Sequence, residues 1–204
     1  MKSYFRSSDE ETNKVKSILE RLENPLLKPL LFFLKFIMSY MDKFNRVFQK
    51  STENTTCELY TEMCRLTRLY AANLLKTDAI TSVGSNIHQI SVECGSQLDD
   101  ENLGVGSDTW KCITELEEEH DTKPFFTAVR NFYFASLKKM IQKFPFGDSL
   151  LKDLGVLQPE KTASYSVETV LGLARRFPQL ELADDESLDK LREEFTDFKL
   201  SPEE

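Results

Sequence analysis

The sequence predicts an all-α protein, an irregular multi-helix bundle of about seven to eight helices with one long acidic loop near residues 78–107. Three observations predict it. Apolar residues recur at three- and four-residue spacing along most of the chain, the period of a helix with a buried face. Two near-identical stops, Lys143-Phe144-Pro145 and Arg176-Phe177-Pro178, each place a base and an apolar anchor in a last helical turn. The proline that follows cannot continue the helix. Fifteen Phe and six Tyr stand against seven Gly, and 40% hydrophobic content over 204 residues is enough for a real core.

Taken in order, Ser8-Asp9-Glu10-Glu11 reads as a capping box opening a helix with Val15, Ile18, Leu19 and Leu22 on one stripe. Asn24-Pro25 ends it. The next helix, about Pro25 to Gln49, is apolar on more than one face, with Leu30, Leu31, Phe33, Leu34, Phe36, Ile37, Tyr40, Met41 and Phe44 along it. Such a helix is central to its domain or shared with a partner, and it is the expected hub. A third helix, about Thr56 to Lys76, carries Leu59, Tyr60, Met63, Leu66, Tyr70 and Leu74. Residues 78–108 are polar and acidic with four glycines, a functional excursion or a connection between domains. Within them Ile87-His88-Gln89-Ile90-Ser91-Val92 alternates in the manner of one short strand. Helices resume at Asp108–Glu119 and Thr122–Phe144, with shorter ones at Asp148–Leu154 and Val167–Phe177. The last, Asp185–Phe198, is expected to bury Leu188, Leu191, Phe195 and Phe198. The organisation expected is an amino-terminal helical unit over 1–77, the acidic loop over 78–107, and a carboxy-terminal unit over 108–200, packed as one combined domain.

Charge is distributed by segment. Residues 1–76 carry 13 Lys/Arg and 9 Asp/Glu, and residues 77–122 carry 1 and 11. Residues 123–180 carry 9 and 4, and 181–204 carry 3 and 10, for a total of −8. An acidic chain is a poor free-standing nucleic-acid binder, because affinity for phosphate comes from Lys/Arg displacing counterions. The two basic segments either form one face or pair with the acidic segments, and pairing is the preferred reading. Residues 1–6 have no apolar signal core, so an intracellular protein is expected and the sequon Asn54-Thr55-Thr56 carries no meaning. The apolar run Leu30–Met41 is short of a membrane span and is interrupted by Lys35. Four cysteines, with no Cys-x-x-Cys pair, fit reduced thiols.

The motifs that carry chemistry fail on their own requirements. Hydrolytic nucleophile motifs are absent, and neither His88 nor His120 has a Ser or Cys partner nearby in sequence. Glu117-Glu118-Glu119-His120 holds one Glu-x-x-His, but a di-metal bundle needs two, and Ser85 stands where His88 would need its Glu. Cys57 and Cys64 share a helical face without the tight pair that structural zinc requires, so core cysteines are the better account. Gly104-Val105-Gly106-Ser107 has the outline of a phosphate cradle but no following Lys, and a flexible helix start is preferred. Trp110 reads as core rather than as a base-stacking platform. No cofactor, metal or small-molecule substrate is indicated.

The order and spacing of several stretches resemble the helical portion of hAT-type DNA transposases, over nearly the whole chain. They are Lys2-Ser3-Tyr4-Phe5, Lys43-Phe44-Asn45 with Phe48-Gln49, and Phe126-Thr127-Ala128-Val129-Arg130-Asn131-Phe132-Tyr133. Lys143-Phe144-Pro145-Phe146 follows, then Leu151-Lys152-Asp153-Leu154-Gly155-Val156-Leu157-Gln158-Pro159-Glu160-Lys161. Arg176-Phe177-Pro178-Gln179-Leu180, Glu194-Phe195 and Leu200-Ser201-Pro202-Glu203 complete the set. In that family an RNase H-like core holds three metal-binding acids and is interrupted by a large helical insertion that helps position DNA ends. The resemblance implies that this chain is the insertion, beginning after the first two acids and stopping before the third and the dimerisation segment. It also implies that the upstream zinc-finger domain is absent and that no catalytic residue carries over. Asp99-Asp100-Glu101 has no claim to the triad.

The expectation is therefore a non-catalytic, transposase-derived helical module that mediates protein–protein interaction or is a decayed remnant. Its partner is another protein or itself, and no membrane is involved. The candidate interface residues are Phe33, Phe36, Tyr40 and Phe44 on the hub helix. The alternative is a nucleic-acid-binding remnant, with Lys138, Lys139, Lys143, Arg175 and Arg176 as the basic residues inherited through the resemblance. A nuclear location follows if the family role is retained, and a cytoplasmic one otherwise.

Overall fold

The computed structural model describes residues 15–19, 22–49, 55–116, 119–182 and 184–201. Among them the secondary structure is helical, with no strand beyond an isolated bridge between Leu75 and Gln97. The capping box Ser8–Glu11, the stretch Lys2–Phe5, Asn54 of the sequon, Glu117 and Glu118, and Pro202 and Glu203 lie outside the described residues. Residues 15–19 are helical. The α-helices that follow are α1 (Leu27–Gln49), α2 (Thr55–Leu74), α3 (Thr77–Thr81), α4 (Ser107–Leu116), α5 (Lys123–Lys143), α6 (Ser149–Asp153), α7 (Pro159–Thr162), α8 (Val167–Arg176) and α9 (Asp185–Leu200). No helix among the described residues is long and apolar enough to cross a membrane.

The chain divides into two compact units, each discontinuous in sequence. Unit 1 is Met1–Asp42 with Leu69–Lys138, and unit 2 is Lys43–Arg68 with Lys139–Glu204. The expected division was serial. Each of the three long helices instead contributes residues to both units, because a long helix with aromatic residues along its length can nucleate a separate core at each end.

Unit 1 is organised on edge-to-face aromatic rings. Phe33 of α1 meets Phe132 and Tyr133 of α5 at 5.4 Å each, and Tyr133 meets Tyr70 of α2 at 5.9 Å. Perpendicular arrangements set the positive edge of one ring on the negative face of the next. Ile37, Leu74, Ile113, Phe125, Val129 and Leu137 fill the surrounding space and are buried. The expected acidic loop is present here, but it is not an open excursion. It runs through α3 and three short 3-10 turns, and it buries Ile87, Ile90, Leu103 and Val105. The predicted strand at Ile87–Val92 is instead a 3-10 turn at Ile87–Gln89 followed by extended chain. Ile87 and Ile90 are buried three residues apart, whereas a strand would place alternate residues on one face.

Backbone bonds clasp this segment to the end of α2. Lys76 N donates to Ser96 O at 2.9 Å, Leu98 N to Leu74 O at 2.8 Å, and Gly104 N to Asn73 O at 2.9 Å. These pairings, with the Leu75–Gln97 bridge, stop α2 at Leu74 rather than at Lys76. A Cβ on Gly104 would stand 2.6 Å from the Cβ of Asn73, so glycine is required at that crossing. Arg130 of α5 closes the clasp from the other side. Its Nη2 lies 2.7 Å from Asp100 Oδ1, and its Nη1 donates to Gln97 Oε1 at 3.2 Å.

Unit 2 is built from shorter pieces. Phe44 of α1 stacks on Phe144 at 5.8 Å, Phe144 meets Phe146 at 5.7 Å, and Tyr60 of α2 meets Phe146 at 6.4 Å. A second cluster joins Leu171 and Ala174 of α8 to Leu188 of α9, with Leu182 and Leu191 against it. Phe195 is half-buried and Phe198 is exposed, a correction to the expected burial of all four apolar positions of α9. Both Phe-Pro stops act as the sequence predicts. Helix α5 ends at Lys143 with Phe144 N donating to Met140 O, and α8 ends at Arg176 with Phe177 N donating to Leu173 O.

Candidate functional site

Helix α1 starts on a side-chain and backbone turn. Asn24 Oδ1 accepts from Leu26 N at 2.9 Å, and Asn24 O accepts from Leu27 N at 2.9 Å. Pro29 falls in the first turn, where the missing N–H has no intrahelical acceptor to lose. From there the helix is two-faced within unit 1. Pro29, Phe33 and Ile37, four apart, are buried. On the opposite side Leu31, Leu34 and Met38, spaced three and four, are 56%, 40% and 49% exposed. Lys28 and Lys35 border them and are exposed. Scattered apolar residues are ordinary at a protein surface, but three in register on one helix face make a seam of the kind that receives another helix.

The four aromatic residues expected at an interface turn out to pack inward. Phe33 is enclosed by Phe132 and Tyr133. Phe36 meets Tyr40 at 5.3 Å and crowds Gly106, where a Cβ would stand 2.8 Å from its ring. Tyr40 meets Tyr70 at 6.3 Å in unit 1, and Phe44 stacks on Phe144 in unit 2. Phe33 is corrected to a core residue, and Phe36, Tyr40 and Phe44 are half-buried. The surface residues that sequence reasoning missed are Leu31, Leu34 and Met38. The signal that would have found them is the three-four spacing interrupted by Lys35.

The five basic candidates are all exposed. Lys138 belongs to unit 1. Lys139 and Lys143 lie one turn apart at the end of α5 in unit 2, and Arg175 and Arg176 lie at the end of α8. Asp148, which caps α6 by accepting from Leu150 N at 2.9 Å, also sits 3.8 Å from Arg176. That pair brings the end of α8 to the turn that follows Lys143, and at the same time places a carboxylate among the bases. The same pairing recurs in unit 2 at Arg192–Glu168, at 3.0 Å.

At the start of α4, Gly106 adopts a φ of +87°, and Lys35 pairs with Asp108 at 3.7 Å, so the helix N-terminus already faces a carboxylate. A groove of 210 Å³ there is lined by Lys35, Ser39, Asp108 and Thr109, and the buried Thr109 hydroxyl has no hydrogen-bond partner. Trp110 is tilted on Phe126 at 5.7 Å. Cys57, Cys64 and Cys112 are buried thiols, and Cys94 is exposed. Burial pushes the Cys64 thiol above its ordinary value, which keeps it protonated and a weak nucleophile. Among the described residues no three His, Cys, Asp or Glu side chains are grouped so as to hold a metal ion. Burial also raises Tyr70, to about 12, and raises Tyr133 further, so both phenols are neutral packing groups; Tyr133 donates to Gly104 O.

Comparison with protein-family models, with curated proteins and with solved structures finds no match to this chain.

Proposed function

We propose that the chain is a non-catalytic helical module of hAT-transposase type whose work is protein–protein contact. The observation that carries this reading is the seam Leu31, Leu34 and Met38, left open on a helix whose other face is the core of unit 1. Three exposed aliphatic side chains flanked by lysines favour a helix that is apolar on one face and acidic at its margins. The transposase ancestry rests on the order of the motifs. The stretch Lys143–Leu180, which holds three of the eight, lies within unit 2 with both helix stops in place.

The test is binding of an environment-sensitive apolar dye, followed with Leu31, Leu34 and Met38 changed together to Ser. The native chain binds dye when dilute, and the triple variant binds less of it while keeping its helical circular dichroism. A native chain that binds no dye at any concentration removes the basis of the reading.

A second reading, a nucleic-acid-binding remnant, is favoured by the convergence of the α5 and α8 ends near Lys143 and Arg176. It predicts duplex binding that weakens steeply with salt and drops when Lys139, Lys143 and Arg175 are neutralised. Absence of binding at low salt disposes of it. The Asp148–Arg176 pair and the net charge of −8 make it the weaker of the two.

A further inference from the structure

The start of α4 holds a polar group that packing does not explain. Thr109 is wholly buried and stands in the wall of the groove between α1 and α4, and its hydroxyl has no hydrogen-bond partner. Other helical threonines donate to the carbonyl four residues back. Thr67 does so to Met63 O at 2.8 Å, Thr114 to Trp110 O at 3.0 Å and Thr127 to Lys123 O at 3.0 Å. For Thr109 that residue is Val105, which precedes the helix, and no such bond forms. Buried hydroxyls are rarely left unsatisfied, and one in a groove wall marks a place for a ligand atom.

The surroundings select the ligand. The first backbone bond of α4 runs from Trp110 N to Gly106 O at 3.1 Å, so the amides of Ser107, Asp108 and Thr109 have no acceptor within the helix. With the helix dipole behind them they favour negative charge. Lys35 and Ser107 also line the groove and add donors. Ser39 does not, because its hydroxyl donates to Phe36 O at 2.7 Å. Phe32 and Phe36, one turn apart on α1, make the apolar wall. The glycines of this stretch are no part of the case, since Gly104 is crowded by Asn73 and Gly106 by Phe36.

We infer that this groove binds a small phosphate monoester. Its oxygens take the Thr109 hydroxyl, the α4 amides and Lys35, and its organic body lies against Phe32 and Phe36. These donors outnumber what two carboxylate oxygens can use, which favours phosphate. At 210 Å³ the groove is smaller than a drug-sized pocket, which restricts the body to a single ring. Asp108 opposes the anion. Its pair with Lys35 spans 3.7 Å between side chains 58% and 74% exposed, a solvent-screened contact that an entering phosphate can displace. All these residues belong to unit 1, and the site stands independently of the protein-contact reading.

Titration of the isotope-labelled full chain with phenyl phosphate, followed by amide chemical shifts, tests it. Saturable shifts are expected at Ser107, Asp108 and Thr109, with inorganic phosphate moving the same amides at higher concentration. Thr109→Val weakens binding about tenfold. It does so without lowering thermal stability, because the hydroxyl has no protein partner to lose. Lys35→Gln weakens binding about two- to fivefold, and Asp108→Asn tightens it by about the same factor. Opposite signs at the two members of one ion pair separate binding from loss of fold.

Amides 107–109 that stay still at every phosphate concentration overturn the inference, as does binding indifferent to Thr109→Val. Benzoate bound more tightly than phenyl phosphate overturns it in favour of carboxylates. Shifts confined to Lys139, Lys143 and Arg175 overturn it by placing the anion on the basic helix ends.

Discussion

The two units solve the same folding problem with different materials. Unit 1 interlocks Phe33, Tyr70, Phe132 and Tyr133 from three helices and fastens a thirty-residue segment over the end of α2 with backbone hydrogen bonds. Unit 2 uses short helices whose ends are secured one at a time. Asp148 caps α6, Asp184 caps α9 by accepting from Ser187 N at 2.9 Å, and Thr162 Oγ1 donates to Val156 O at 2.8 Å. Ion pairs such as Arg192–Glu168 and a bond from Lys199 Nζ to Tyr165 O at 2.7 Å add to the margin. The difference teaches where stability should be concentrated. Ring packing in unit 1 is shared among many partners and is costly to breach, while caps in unit 2 are local and individually modest.

The largest expected breach is therefore Phe33→Ala. Removing a ring enclosed by two others should cost about 3–5 kcal/mol, as read by urea unfolding. Phe198→Ala, at an exposed ring in unit 2, should stay within about 0.5 kcal/mol. Equal losses would erase the contrast.

Alkali is the next discriminator. Tyr70 is held neutral by burial, so its phenol ionises first in the unfolded chain, at its ordinary value near 10, and in the folded chain at about 12. Its contribution is complete below pH 10 and drains away between pH 10 and about 12, by at most about 1.4 kcal/mol per pH unit. Tyr70→Phe should flatten that decline without weakening the neutral protein, because the hydroxyl has no partner to lose. A decline unchanged in the variant would place the alkaline weakness elsewhere.

Smaller effects follow at the polar ties. Arg130→Gln should cost about 1–2 kcal/mol and speed amide exchange at Lys76, Leu98 and Gly104, since the guanidinium holds Asp100 and Gln97 together. Exchange that is faster only in α5 would show that the clasp stands without it. Asp148→Ala should cost about 1 kcal/mol through the lost cap, with exchange effects confined to unit 2. The smallest is a pH effect at Asp184, whose carboxyl is held below its ordinary value of 3.8 by the bonds from Ser187. That stabilisation is present above 3.8 and is lost as acid passes the lower folded value. Asp184→Asn should remove the acid dependence of α9 exchange while leaving its neutral-pH protection near native.

Much of the scaffold was legible because it depends on local rules. Helix stops at Lys143 and Arg176, the cap at Asp148 and the span of α1 follow from proline, aspartate and hydrophobic spacing within a few residues. The acidic segment was legible in position but not in form. Its buried Ile87 and Leu103 lie in a segment tied down by bonds between residues 20 to 31 positions apart, such as Lys76–Ser96 and Asn73–Gly104, and no local pattern encodes a partner at that distance. Phe33 is corrected from interface to core for a related reason. Aromatic residues were weighted as anchors, and Phe33 was spent on the core because Tyr133 and Phe132 arrive from α5. The open seam fell to the aliphatic residues between the rings. The five basic candidates are exposed, and the pairing of Arg176 with Asp148 depends on a turn that composition does not reveal.

The clasp over α2 has a practical side. Because Lys76 bonds to Ser96 and Asn73 to Gly104, the stretch between them is closed at its base, and its far tip at Ser82, Ser85 and Asn86 lies open. Lengthening a chain whose ends are already pinned costs little, about 0.6 kcal/mol for each doubling of the loop. A short epitope or a fluorophore-bearing insert between Ser85 and Asn86 should therefore ride on the protein without disturbing it, whereas a single added carbon at Gly104 should not. The same asymmetry makes the tip the place where drift in length is tolerated and the base the place where it is not.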